Sequence, residues 1–147
     1  RLLEGGAILR SQACLIANRA ALRERPEVLE AAHALLEYIE AHLRGQDAFI
    51  VFANMRGGSE QEIADKIFAQ TDLGGLQGPT VCSVYTRGAA DRNWFAVNIV
   101  VRREKIMQAV QELRAIGGSG VVVSPVSYIF EEEPDRFVRL RKELAQA

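Results

Sequence analysis

Catalysis needs groups that converge on one atom: a nucleophile beside a base, paired carboxylates, or several metal-ligating side chains. The sequence offers few such groupings. His33 and His42 stand nine residues apart on one expected helix, at the margins of its apolar stripe. They do not share a turn, and isolated helical histidines read as surface or boundary residues rather than ligands or acid–base groups. Cys14 and Cys82 have no CxxC or Cys/His companion, which argues against a zinc site or disulfide framework and fits a reducing cytoplasm. Gly74, Gly75 and Gly78 form a glycine-rich stretch. No GK[ST] ending follows it, and Pro79 and a strand stand where a phosphate loop needs a helix N-terminus. The stretch reads first as a turn, and second as backbone that a small zwitterion can approach closely. No catalytic residue and no metal ligand is expected in the chain.

Bulk properties narrow the classes further. The 147 residues suit one domain, or one domain with an appendage. Eighteen Lys+Arg against nineteen Asp+Glu give a formal charge of -1, with the basic residues dispersed, so no nucleic-acid partner is expected. No apolar run approaches the roughly 20 residues that a membrane span requires, and residues 1–20 lack a signal-peptide core. The chain starts at Arg1, not Met, which leads us to expect that something upstream has been removed.

The elements alternate in a recognisable order. Ala7–Asn18 contains the apolar run Ala13–Ala17 and is expected to be a strand, closed by Asn18. Pro26 opens a helix whose stripe is Val28, Leu29, Ala32, Leu35, Leu36, Ile39 and Leu43, ending near Gly45. The run Ala48–Ala53 is a buried strand. Ser59 followed by Glu62 signals a capped helix with Ile63, Ile67 and Phe68 inward, reaching about Thr71. Thr80–Arg87 and Trp94–Arg102 form a hairpin across the loop Gly88–Asn93. A helix with stripe Ile106, Met107, Val110 and Leu113 is capped at Gly117, and Gly120–Val126 is the last strand. From residue 47 the order is β-α-β-β-α-β, an α+β, ferredoxin-like sheet of four antiparallel strands with two helices on one face. Glu131–Ala147 is a charged tail with a short helix from about Pro134.

That fold hosts many chemistries, so motifs must decide. Gly75–Tyr85 (GLQGPTVCSVY), Trp94–Val101 (WFAVNIVV) and Ile116–Val126 (IGGSGVVVSPV) together resemble the C-terminal domain of the long-form ATP phosphoribosyltransferases. Gly5–Leu22 (GGAILRSQACLIANRAAL) resembles the end of that family's catalytic region. The resemblance covers roughly residues 4–130 and implies three parts: 1–45, a catalytic-region remnant; 46–130, a histidine-binding regulatory domain; and 131–147, a tail beyond the usual family end. It implies a parent enzyme that condenses ATP with phosphoribosyl pyrophosphate, using Mg2+, at the opening of histidine biosynthesis. ATP and phosphoribosyl pyrophosphate would bind lobes not included here, so no cofactor and no turnover are expected of residues 1–147. Cytoplasmic location, feedback inhibition by L-histidine and hexamer assembly are implied as well.

The same resemblance places the effector. Leu76 and Thr80 fall in the GL..PT motif, the leucine contacting ligand and the threonine offering a hydroxyl. Gly120 lies in the G-x-G step before the last strand, with Ser119 as a weaker hydroxyl, and Asn54 stands where the family often has an acidic or amide residue. Asn keeps hydrogen bonding and lacks the charge. Plain structural roles stand beside each assignment: Leu76 as core, Thr80 as a strand residue, Gly120 as a tight bend, Asn54 as a strand-end turn. Trp94 reads as an anchor of the core or of a subunit contact. Two other readings stay open: a purely structural oligomerisation domain, and a ferredoxin-like sensor of another small metabolite.

Overall fold

Apolar periodicity places most of the elements. In the computed structural model, which describes residues 9, 11–69, 78–85 and 93–146, the chain runs α1 (Arg19–Glu24), α2 (Pro26–Gly45), β1 (Ala48–Arg56) and α3 (Glu60–Phe68). It continues through β2 (Thr80–Ser83), β3 (Trp94–Arg102), a 3-10 turn at Arg103–Lys105, α4 (Ile106–Ala115), β4 (Ser119–Pro125) and α5 (Asp135–Ala145). The strands lie in the order β2-β3-β1-β4 and every neighbouring pair is antiparallel. This is the ferredoxin-like α+β sheet that the element order implied.

Alternation along the strands sorts the two faces. Val51, Ala53 and Met55 of β1 pack with Phe95, Val97, Ile99 and Val101 of β3, with Ile63 and Ile67 of α3, and with Ala109 and Leu113 of α4. The other face carries Ile50, Phe52 and Asn54 from β1, Ala96, Asn98 and Val100 from β3, and Thr80 and Cys82 from β2, in register across the sheet.

Local signals end the helices as their chemistry requires. The Ser59 hydroxyl accepts the amide proton of Glu62 at 3.1 Å, and the Glu62 carboxylate accepts that of Gly58 at 2.8 Å, so both arms of the cap engage free donors. The Lys66 ammonium donates to Glu62 at 2.6 Å; this bond and the Gly58 amide hold the Glu62 carboxyl below its usual range. Gly117, at φ +96°, terminates α4, and the Gly118 amide returns to the Leu113 carbonyl at 2.7 Å.

A second group of helices, α1, α2 and α5, packs beside the sheet, with α2 touching β1. Its organising residue is Glu40, only 3% exposed. One Glu40 carboxylate oxygen accepts the Arg136 amide at 2.6 Å and the other accepts the Asp135 amide at 2.9 Å, so a residue of α2 caps the N-terminus of α5.

Several expectations are corrected. Residues 11–18 form no strand, because extended backbone needs a neighbouring ladder and no described strand lies beside them. The run Ala13–Ala17 instead lines an apolar groove against α2 and α5. Asn18 does not close a strand; its side chain caps α1 by accepting the Ala21 amide at 3.1 Å. Met107 is exposed, the stripe of α4 passing through Ala109, Val110 and Leu113. Phe68 is exposed at the last position of α3. The expected helix end near Thr71 and most of the Gly88–Asn93 loop lie outside the described residues.

Candidate functional site

Three of the sequence-derived candidates meet at one end of the sheet. Phe52 pairs with Val122, yet Asn54 pairs with Ser119, so β4 carries one residue more than β1 over this stretch. Such a bulge bends the strand, and here it contains a residue at positive φ, Gly120 at φ +59°, a conformation that glycine adopts without steric cost. A Cβ at Gly120 would stand 3.8 Å from the Asn54 side-chain nitrogen. The Ser119 hydroxyl donates to the Asn54 carbonyl at 3.3 Å, which ties the bulge to β1. The Asn54 side-chain amide makes no hydrogen bond with any described residue, so its donors and acceptor are available to a ligand.

Thr80 belongs to a different part of the same face. It opens β2 opposite Asn98, and its outward direction follows from Val81, which packs inward on the core. The Thr80 and Asn98 side chains likewise make no hydrogen bond with described residues. Both line a groove of about 500 Å3 whose floor is the open sheet and whose rim carries Arg44, Arg102, Phe130 and Glu131. Asn54, Ser119 and Gly120 do not line it. Thr80 and Asn54 are separated by two strand spacings across and by two residues along, roughly 12 Å. Leu76 lies outside the described residues.

The groove adds residues that motif reading missed. Asn98 interrupts the apolar run WFAVNIVV on the outward parity, a signal visible in the sequence. Arg44, Arg102 and Glu131 come from three distant segments, and only the fold gathers them. Together they offer both signs of charge beside neutral hydrogen-bonding groups, a combination suited to a small zwitterion.

The other candidates have ordinary surroundings. His33 packs its ring on Phe137 at 4.2 Å between centroids, and His42 lies 5.7 Å from the Tyr128 ring. Trp94 is half-buried at the start of β3 with the Arg56 guanidinium 4.5 Å over its ring. Cys14 and Cys82 are free and exposed. No group of three or more His, Cys, Asp or Glu among the described residues is gathered to hold a metal ion. No helix among them is long and apolar enough to cross a membrane.

Comparison with known proteins gives this geometry a context. The profile of the family described as "HisG, C-terminal domain" matches residues 46–128, more than half of the chain. The chain belongs to the HisG C-terminal domain family. "ATP phosphoribosyltransferase 2, chloroplastic" of Arabidopsis thaliana is 47% identical over 144 residues, covering 97% of this chain and 35% of that protein. An ATP phosphoribosyltransferase of Bacteroides fragilis is 28% identical over 126 residues, 86% of this chain and 40% of the relative. One of Methanosarcina acetivorans is 28% identical over 115 residues, 78% of this chain and 36% of the relative. The chain thus spans little more than a third of their length. The HisG C-terminal domain match begins at the residue after α2 and stops before α5, whereas the plant alignment takes in nearly all of the chain. Asn54, Thr80, Ser119 and Gly120 all fall within the HisG C-terminal domain.

Proposed function

We propose that this chain is the regulatory C-terminal portion of an ATP phosphoribosyltransferase and that it binds L-histidine as a feedback effector. The observation that supports the reading most strongly is a set of available polar side chains, Asn54, Thr80 and Asn98, on the helix-free face of a HisG C-terminal domain. In this reading the Thr80 hydroxyl and the Asn54 amide contact the ligand, Leu76 supplies an apolar contact, and Ser119 and Gly120 shape the strand end. Glu131, on the groove rim, supplies the negative charge that Asn54 does not.

ATP and phosphoribosyl pyrophosphate, with Mg2+, act in the catalytic lobes of the parent enzyme, and this chain has no turnover of its own. The cytoplasm, a reducing compartment, suits its two free cysteines. Purified chain supplied with ATP, phosphoribosyl pyrophosphate and Mg2+ is expected to release no pyrophosphate above a blank.

Calorimetry and thermal melts against the twenty amino acids test the sensing role. L-histidine alone should raise the melting temperature, since binding to the folded state adds about 2.7 kcal/mol at a hundredfold excess over Kd. Thr80→Val keeps the branched shape and leaves a ligand acceptor unpaired, so affinity should fall about five- to a hundredfold with little change in the unliganded melt. His33→Ala should leave the response intact. A response to another metabolite, or none at millimolar histidine in a folded protein, would overturn the reading.

A further inference from the structure

A second cleft, of about 330 Å3, lies where the end of α2, the end of β3 and the first turns of α5 meet. Glu40, Arg44, Arg102, Asp135, Arg136 and Arg139 line it, four guanidiniums against two carboxylates, a formal surplus of two positive charges.

The carboxylates are already engaged. Each Glu40 oxygen accepts one α5 amide and one guanidinium, Arg136 at 3.3 Å on one side and Arg44 at 3.3 Å on the other. Asp135 pairs with Arg44 at 3.4 Å. On the cation side many donors are left over, since each guanidinium has five N–H groups and keeps its charge at any physiological pH. Arg102 donates to the Arg44 carbonyl at 3.2 Å, and Arg139 makes no hydrogen bond or ion pair with any described residue. Glu131, Glu132 and Glu133 line an adjoining depression that shares Arg44 and Asp135 with the cleft, and Glu133 is paired with Arg141 at 3.0 Å.

Like charges gathered around a solvent-filled cleft repel unless an anion joins them, and guanidinium forks match tetrahedral oxyanions especially well. We propose that this cleft is a binding site for a dianionic phosphate group, inorganic or carried as a monoester, held by Arg102, Arg136 and Arg139. The cleft adjoins the sheet face, since Arg44 and Arg102 line both, but Arg136 and Arg139 take no part in the groove lined by Thr80. An occupant would tie α5 to α2 and β3 alongside Glu40, so binding should stabilise the fold.

The test titrates the whole chain with inorganic phosphate and, separately, with glycerol 3-phosphate, ionic strength being held constant with sodium chloride. Binding is read by calorimetry and 31P NMR, and stability by thermal melts. Saturable binding and a raised melting temperature are expected. A tighter monoester assigns the site to a phosphorylated metabolite, and equal affinities assign it to the free ion. Arg139→Gln should weaken binding by about tenfold or more while leaving the melt in chloride unchanged, because it removes a charge that has no partner among the described residues. Arg136→Gln should weaken it as well, and Thr80→Val should not. Non-saturable binding by the wild type, or wild-type affinity in Arg139→Gln and Arg136→Gln, would overturn the proposal.

Discussion

A carboxylate taken out of water is destabilising unless nearly every lone pair finds a donor. Glu40 meets that condition through the amides of Asp135 and Arg136 and the guanidiniums of Arg44 and Arg136. Desolvation pushes the Glu40 carboxyl up, but the two amides and the Arg136 charge together outweigh it, so the group titrates below the usual carboxylate range. The sign follows from linkage. Its stabilisation is complete above the unfolded value, about 4.3, and is lost as pH falls through the lower folded value. Glu40→Gln should cost about 1–3 kcal/mol at neutral pH, since one new N–H faces the donors it must accept from. Its melts should show a shallower decline than the wild type as pH falls below about 4.3; identical slopes there would show that Glu40 does not govern α5. This role was not legible in the sequence. Glu40 belongs to no motif that its neighbours define, and the partners that matter lie about 95 positions away. Ser59 with Glu62 shows the opposite case, where a local pattern carries its own meaning.

Elements were legible where their apolar face repeats over several turns or several strand pairs. The helix from Pro26 and the strand Trp94–Arg102 fall where periodicity places them. The Ala7–Asn18 expectation failed in its described part because a strand is defined by its neighbour, which composition cannot supply. The junction between α2 and the chain after β4 was also hidden. Gly45 is buried there, and a Cβ on it would stand 2.7 Å from the Ser127 carbonyl oxygen. Nearby, the Ile129 amide donates to the Ala41 carbonyl at 2.9 Å, so the backbone has little room to retreat. Gly45→Ala should therefore cost about 1–3 kcal/mol by overpacking, despite the better helix propensity of alanine. Chemical denaturation measures it, and an unchanged or stabilised Gly45→Ala would show that the junction yields freely.

At the scale of the whole molecule, the open sheet face and its surroundings leave much apolar surface uncovered. Val122 is 57% exposed, Tyr38 59%, and Tyr128 and Phe130 49% each, while Leu15, Ile16 and Leu35 are exposed along the groove of α2 and α5. Patches of this kind mark contacts between molecules. The candidate effector residues point the same way: Thr80 and Asn54 stand roughly 12 Å apart within one chain, farther than one histidine bridges comfortably. A neighbouring copy laid on the open face would bring the two halves of the site together. Self-association and effector binding are then thermodynamically linked, and each must strengthen the other. Sedimentation should show dimers or larger species at protein concentrations on the order of tens of micromolar, because exposed apolar faces associate weakly. Added L-histidine should move that distribution further toward the assembled form, while Thr80→Val should retain the association and lose its histidine dependence. A strict monomer at those concentrations would refute self-association. Assembly indifferent to histidine, in protein that nevertheless binds it, would place the whole ligand within one chain.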